Sequence, residues 1–226
     1  MTSSTLKIIA CLTMLVDHTG AILYPNEIIF RIIGRLAFPI FAFLLVEGYI
    51  HTRDVKKYLF RLGIFALISE VPFDIAFHSV KFIEFQSQNV FITLFIALLA
   101  ITLYEKAKNI GVIFAIFLVA LFALVNEFLR ADYGLYGVLI IFGFYKFKDN
   151  KMNLVFWVLF INLLMSAQYA SFAGRFTFRG MLQLFEVFSF VLIFAYNGKK
   201  GLNLKYLFYI FYPGHLLILH WISTMV

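Results

Sequence analysis

The chain of 226 residues is 63% hydrophobic and 14% charged, with a mean hydropathy of +0.93. This composition excludes an ordinary soluble domain, and the apolar residues form long blocks without the alternating polarity of outer-membrane strands. The net charge of +7 would suggest nucleic-acid binding in a soluble protein. In a membrane protein basic residues mainly set orientation, so we expect no nucleic-acid partner. The single cysteine, Cys11, excludes an internal disulfide and a cysteine-based zinc site, and nothing in the sequence requires a metal.

The apolar blocks predict an all-α fold, a polytopic transmembrane helix bundle that forms one integral membrane domain over residues 1–226. We expect about nine spans, since each block approaches the length that crosses a bilayer. The predicted spans cover residues 5–23, 28–50, 60–78, 90–105, 110–128, 133–147, 152–172, 179–197 and 204–224. Lysine and arginine are more frequent on the side that carries the N-terminus. This bias predicts a cytoplasmic N-terminus and an outside C-terminus, with the lipid bilayer around the bundle.

The first predicted span carries two adjacent ionisable residues, Asp17 and His18. Such groups are costly at membrane depth and usually mark a functional site or a partner charge. Neighbouring residues on a helix do not face each other, so each needs a partner on another helix. Arg35, on the same side of the membrane, is the expected partner of Asp17, and His18 could act as a general base. The alternative is a structural Asp17–Arg35 ion pair beside a buried hydrogen-bonding histidine.

The second predicted span contains Pro39, which lacks an N–H and therefore frees the backbone carbonyl of Arg35. Its inner end continues into a set of charged residues that we call the basic cluster. This cluster suits the phosphates of a cytosolic ligand, because phosphate oxygens need charge-assisted donors. It equally suits anionic lipid headgroups or plain control of topology. The basic cluster comprises Glu47, His51, Arg53, Lys56, Lys57 and Arg61.

Acidic and amide residues are predicted on the outer side of the membrane. Glu70, Asp74 and His78 follow each other at intervals of four, which places them on one helical stripe. This stripe could attract an amine or conduct protons, or it could be an ordinary helix end at the membrane interface. The residues that we predict to face a substrate are Glu70, Asp74, Asn89, Glu127 and Asp132.

The last predicted span contains Pro213 and His215 well inside its apolar stretch. Pro213 frees the carbonyl of Tyr209, which predicts a kink next to a second candidate base, His215. Neither a nucleotide-binding loop nor an HExxH or GxSxG signature occurs in the sequence.

Several blocks together, in their order and spacing, resemble the TraX family from near residue 6 to near residue 220. The blocks are LKIIACLTMLVDHTGAILYP, GRLAFPIFAFLLVEGYIHTR, YLFRLGIFALISEVPFD, QNVFITL, ADYGLYGVL and KYLFYIFYPGHLLIL. The resemblance implies a multi-pass protein of the bacterial cytoplasmic membrane. Because the founding activity of that family is acetylation of the N-terminal amine of conjugative pilin, it also implies an acetyltransferase that uses acetyl-CoA.

With that resemblance, we expect His18 to be the base, Asp17 and Arg35 its electrostatic partners, and His215 the second candidate. The basic cluster would hold the phosphates of acetyl-CoA, and the acidic outer residues would attract the acceptor. The acceptor is an unidentified peptide, glycan or small molecule with an amine or hydroxyl group. Two other functions stay open: a small ion- or proton-coupled transporter or channel, and an assembly protein of a secretion system.

Overall fold

The computed structural model describes residues 1–78 and 86–225, and the regular structure of this part of the chain is helical. An isolated bridge between Gln88 and Ala131 is the only β-type pairing within the described residues. The helices are α1 (Ser3–Ile22), α2 (Ile28–Gly34), α3 (Ala37–His51), α4 (Val55–His78), α5 (Val90–Ala107), α6 (Val112–Phe128), α7 (Gly134–Lys146), α8 (Lys151–Ala173), α9 (Phe178–Met181), α10 (Ser189–Phe194) and α11 (Lys205–Ser223), with a 3-10 helix (Leu182–Phe188) between α9 and α10.

The predicted all-α fold is confirmed for the described residues, and each predicted span coincides with helical structure. Within the described residues, helices in four places are long and apolar enough to cross a membrane, by length and composition. They are Ser3–Ile22, Ile28–His51, Val90–Ala107 and Lys151–Ala173. The count of about nine spans, the orientation of the termini and the single domain over 1–226 stay predictions.

The structure interrupts two of the predicted spans. The span predicted at 28–50 breaks at Arg35 and Leu36, between α2 and α3. Pro39 then lies in the first turn of α3, where a missing N–H leaves no hydrogen bond unmade. The span predicted at 179–197 consists of α9, the 3-10 helix and α10. Pro213 lies inside α11, which continues past it, and the kink predicted there stays a prediction.

The chain divides into two compact units. We call residues Met1–Leu44 with Asp149–Val226 the terminal unit, and Leu45–Lys148 the central unit. The candidate catalytic residues Asp17, His18, Arg35 and His215 all belong to the terminal unit, so its packing determines their geometry.

Two contacts show that α1 and α11 of the terminal unit run in the same direction. At the start of α1, the backbone N–H of Ser3 donates to the carbonyl of Lys199 at 2.9 Å, shortly before α11 begins. Further along both helices, the side chains of His18 and His215 meet. Parallel packing therefore brings a histidine from each end of the sequence to the same level of the unit.

Helices α1 and α2 approach each other closely because glycines lie at their contact. A side chain at Gly34 of α2 would overlap the carboxyl group of Asp17, and one at Gly20 of α1 would overlap Phe30. Glycine has no Cβ, so each position lets a neighbouring side chain occupy that space. The sequence thereby brings Asp17 directly against the backbone of α2.

In the central unit, α5 packs against α4, α6 and α7. Its side chains include Phe91, Leu98 and Ile101, all completely buried. Helix α6 instead exposes large apolar side chains such as Ile113 and Phe128. An apolar face of this kind fits contact with lipid, as expected for a membrane protein.

Candidate functional site

The carboxylate of Asp17 is held by two arginines of the α2 segment. Arg31 donates from Nη1 to Asp17 Oδ2 at 2.8 Å, and Arg35 donates from Nη2 to Oδ1 at 2.9 Å. The side chain of Asp17 is 10% exposed, compared with 13% for Arg35 and 34% for Arg31. The expected Asp17–Arg35 pair is present, and Arg31 is a second partner that we did not predict. Each carboxylate oxygen thus has its own charge-assisted donor.

The spacing of the two arginines explains this arrangement. Arg31 and Arg35 are one helical turn apart, so their side chains leave α2 on the same face. Arg35 Nε donates to the carbonyl of Arg31 at 3.3 Å, and Arg31 Nη1 also donates to the backbone carbonyl of Asp17 at 3.2 Å. Gly34 lies between them in sequence and leaves room for the carboxylate. The segment from Arg31 to Arg35 therefore has the donors and the space to bind one buried carboxylate.

His18 forms a pair with His215 of α11. His18 Nδ1 and His215 Nε2 are 2.7 Å apart, and the two ring planes differ by 9°. Phe211 stacks on His215 at a centroid distance of 4.7 Å, and the buried ring of Tyr212 meets both imidazoles edge-on. The two candidate bases are thus one hydrogen-bonded unit.

The hydrogen bonds of this pair select one tautomer for each ring. His215 Nδ1 lies 2.7 Å from the carbonyl oxygen of Phe211, which can only accept, so Nδ1 carries the hydrogen. In a neutral His215 the other nitrogen, Nε2, then accepts a hydrogen bond from His18 Nδ1–H. A neutral His18 therefore has its lone pair on Nε2. This is the form of imidazole that can take a proton from a nucleophile.

Arg35 also connects the site to a row of polar side chains that were not predicted as site residues. Arg35 Nη1 donates to Gln183 Oε1 at 3.0 Å, and Gln183 Nε2 donates to Glu186 Oε2 at 2.9 Å. Asn162 of α8 donates to the other carboxylate oxygen of Glu186. Glu186 and Asn162 are completely buried. We call Arg35, Gln183, Glu186 and Asn162 the polar row.

The basic cluster lies in the central unit, around the connection between α3 and α4. His51 Nδ1 lies 3.7 Å from Oε2 of Glu47, one helical turn earlier, and Lys57 Nζ lies 3.4 Å from Asp54 Oδ2. The backbone N–H of Lys57 donates to the Asp54 carboxylate, which lowers the pKa of Asp54. Arg53, Lys56, Lys57 and His51 are exposed, whereas Arg61 lies over the ring of Tyr58 at 5.5 Å. Exposed cations of this kind are accessible to an anionic ligand.

Two of the predicted substrate residues, Asn89 and Glu70, contact each other in the central unit. Asn89 is the N-cap of α5, and its side-chain oxygen accepts from the backbone N–H of Phe91 at 2.9 Å. Its amide group donates to Glu70 and, at 2.8 Å, to the carbonyl of Ala66. Asp74, one turn after Glu70, is completely buried. This geometry joins α4 to the start of α5.

Glu127 and Asp132 lie around the connection between α6 and α7. Glu127 Oε2 accepts from the backbone N–H of Leu135 at 2.8 Å, at the start of α7. The backbone carbonyl of Asp132 accepts from the hydroxyl of Thr93 in α5, and Asn126 donates to the same hydroxyl at 3.1 Å. In the described ranges, 1–78 and 86–225, no group of three or more His, Cys, Asp or Glu side chains is placed to hold a metal ion.

Comparison with known proteins identifies the family. The family model described as TraX protein matches residues 2–223, almost the whole chain. The chain belongs to the TraX family. The resemblance expected from the sequence blocks is thereby confirmed.

Two relatives of this TraX-family chain are informative. It is 32% identical to a probable fimbrial assembly protein FimC, serogroup H1, of Dichelobacter nodosus, over 95% of this chain and 92% of the relative. It is 33% identical to an uncharacterized protein of Rickettsia prowazekii (strain Madrid E), over 40% of this chain and 33% of that protein. No solved structure matches the chain.

The sequence of this TraX-family chain contains indications of some of the site residues that were not predicted. Arg31 stands one turn before Arg35, a spacing that would have assigned both to Asp17. Glu186 is an acidic residue within an apolar segment, which is itself a sign of a buried partner. No local pattern connects Gln183 or Asn162 to Arg35, because those contacts depend on the packing of distant segments.

Proposed function

We propose that the protein is a membrane-embedded acetyltransferase that transfers an acetyl group from acetyl-CoA to an amine or hydroxyl acceptor. The observation that carries this proposal is the His18–His215 pair, which leaves the lone pair of neutral His18 on Nε2. Membership of the TraX family supports it, since the activity implied by that resemblance is acetylation of a pilin amine. The proposed location is the bacterial cytoplasmic membrane.

In the proposed reaction, His18 acts first as a base and then as an acid. The acceptor nitrogen or oxygen attacks the thioester carbonyl carbon while His18 Nε2 takes the proton of the acceptor. The tetrahedral intermediate then collapses, and the bond between carbon and sulfur breaks. The proton on His18 passes to the leaving sulfur, which gives the free thiol of coenzyme A and the acetylated acceptor. The reaction needs no reactant other than acetyl-CoA and the acceptor.

His215 orients His18 in this scheme and is not a path for protons. Its Nδ1–H donates to the Phe211 carbonyl, which cannot pass a proton onward under ordinary conditions. The hydrogen-bonded series from His18 through His215 thus ends at a backbone oxygen. This end of the series therefore offers no onward path for a proton.

Asp17 and its arginines supply the electrostatic part of the mechanism. Arg35 is largely buried and is held by Asp17 and Gln183, whereas Arg31 contacts Asp17 and remains 34% exposed on its side chain. An arginine that is fixed by one ion pair and still accessible can stabilise a developing oxyanion. We therefore add Arg31 to the proposed catalytic residues Asp17, His18, Arg35 and His215.

The remaining assignments of the proposal lie in the central unit. The basic cluster would bind the phosphates of acetyl-CoA through charge-assisted hydrogen bonds. Residues Glu70, Asp74, Asn89, Glu127 and Asp132 are proposed to attract or position the acceptor. Anionic lipid headgroups remain the competing ligand for the basic cluster.

A second candidate function is a structural role in fimbrial or secretion-system assembly. The observation that favours it is the 32% identity to a probable fimbrial assembly protein of Dichelobacter nodosus. In that case the buried charges around Asp17 would only hold helices together. The two functions differ in one respect, which is binding of the acetyl donor.

Binding of acetyl-CoA to the purified detergent-solubilised protein tests the proposal. We expect saturable binding that coenzyme A competes for and that Arg53→Ala weakens about tenfold, the loss of roughly 1.4 kcal/mol of binding free energy. Lys148→Ala is the matched control, because Lys148 is an exposed lysine outside the basic cluster. Absence of binding at millimolar donor would contradict the enzyme and favour the assembly role.

A further inference from the structure

Glu186 is a completely buried carboxylate in the terminal unit. A buried carboxylate is unfavourable unless hydrogen bonds or cations compensate its charge. Its two oxygens accept from Gln183 and Asn162, both of which are neutral amides. Each oxygen of the Glu186 carboxylate thus accepts a hydrogen bond from a side-chain amide.

The 3-10 helix explains how Gln183 and Glu186 meet. Residues three apart lie directly above one another in a 3-10 helix, which has three residues per turn. Gln183 and Glu186 have this spacing within Leu182–Phe188, and Gln183 Nε2 donates to Glu186 Oε2 at 2.9 Å. In an α-helix the same residues would be offset by part of a turn. The departure from α-helical geometry therefore aligns this pair.

The polar row extends this alignment to the catalytic site. The side-chain N–H of Gln183 donates to Glu186, and its side-chain oxygen accepts from Arg35 Nη1 at 3.0 Å. The carboxylate thus fixes which end of the Gln183 amide faces Arg35. Arg35 Nη2, on the same planar guanidinium, holds Asp17 at 2.9 Å.

We propose that Glu186 is a positioning residue of the Asp17–His18 site, which fixes the Arg35 guanidinium through Gln183. This inference rests on the proposed acetyl transfer. Glu186 contacts neither substrate nor base in the scheme and acts through the orientation of Arg35.

An exchange of the two side chains tests this inference. Gln183→Glu alone places two carboxylates in contact, and Glu186→Gln alone replaces the carboxylate that fixes the Gln183 amide with a neutral group. The double variant Gln183→Glu/Glu186→Gln restores one carboxylate and one amide, with a donor for every acceptor along the polar row. We expect each single variant to lower kcat for acetyl-CoA hydrolysis about 10- to 100-fold, with donor KM changed less than twofold. The double variant should recover most of the loss.

Hydrolysis gives a readout that needs no identified acceptor, because water and acetyl-CoA yield acetate and the free thiol. Ser189→Ala is the matched control, since Ser189 is buried just after the 3-10 helix and its hydroxyl makes no hydrogen bond to the part of the chain that the structure describes. All variants are assayed below their unfolding temperatures.

The outcomes separate the two proposals. An inactive wild-type protein would overturn the acetyl transfer itself. The positioning role would be overturned, and acetyl transfer left intact, by either of two results with an active wild-type protein. One is a double variant that recovers no activity, and the other is single variants that change KM without lowering kcat.

Discussion

His18 and His215 are 197 positions apart in the sequence, yet their ring nitrogens lie 2.7 Å from each other. The first described helix and the last one run parallel and contribute one imidazole each. The pair would not form in a fold that placed α1 and α11 apart. Catalysis in the proposed mechanism therefore depends on contact between the two ends of the chain.

Substitution of His215 tests whether it orients His18. His215→Ala should lower the hydrolysis rate by about 10²-fold, since it removes the acceptor of the His18 Nδ1–H. His215→Gln should retain more activity, because an amide oxygen can accept the same hydrogen bond. Steady-state kinetics with acetyl-CoA measures the hydrolysis rates of both variants. Equal rates would contradict the orienting role of His215.

Removal of the buried carboxylate should destabilise the terminal unit. Asp17→Asn leaves Arg31 and Arg35 without their anion, at a cost on the order of 3 kcal/mol in the free energy of unfolding. Arg35→Ala should destabilise more than Arg31→Ala, because Arg35 is more buried and also holds Gln183. Thermal unfolding in detergent measures both effects. The opposite order of the two arginine variants would contradict the assigned roles.

Gly34→Ala tests the close contact between α1 and α2. The added methyl group would overlap the carboxyl group of Asp17, so we expect a loss of about 1–3 kcal/mol of stability and a loss of hydrolysis. The matched control is Gly63→Ala, where a Cβ would meet only Phe95 at an ordinary distance of 3.6 Å. Similar unfolding temperatures for the two variants would show that Asp17 tolerates the methyl group.

Asn89 offers a test in the central unit. Asn89→Ser keeps an oxygen that can cap α5, whereas Asn89→Asp also keeps the cap but brings a second carboxylate to Glu70. Asn89→Asp should therefore lower the unfolding temperature more than Asn89→Ser at neutral pH. The difference should shrink in acid, where the carboxylates take up protons, and a difference that grows in acid would refute the proposed contact.

The sequence predicted the features that depend on single helices and on charge within apolar segments. Hydropathy located the helical segments, and the cost of ionisable residues in a membrane pointed to Asp17, His18 and Arg35. Pro39 was predicted to free the backbone carbonyl of Arg35, because the missing N–H is a local property, but the break between α2 and α3 within the span 28–50 was not predicted.

Other features depend on which distant segments pack together, and no local rule contains that information. The two histidines were predicted as separate candidates for the base, whereas the structure joins them in one hydrogen-bonded pair. The 3-10 geometry of Leu182–Phe188 replaced a predicted continuous span, since hydropathy does not distinguish a 3-10 helix from an α-helix.

The most direct test of the central claim is release of free thiol from acetyl-CoA by the purified full-length protein. The account predicts measurable release by the wild-type protein, loss of at least about 10²-fold in His18→Ala, and wild-type rates in His220→Ala. His220 lies on the same helix as His215, outside the proposed site, and serves as the matched histidine control. Undiminished release by His18→Ala, with the variant folded and binding donor, would contradict the account.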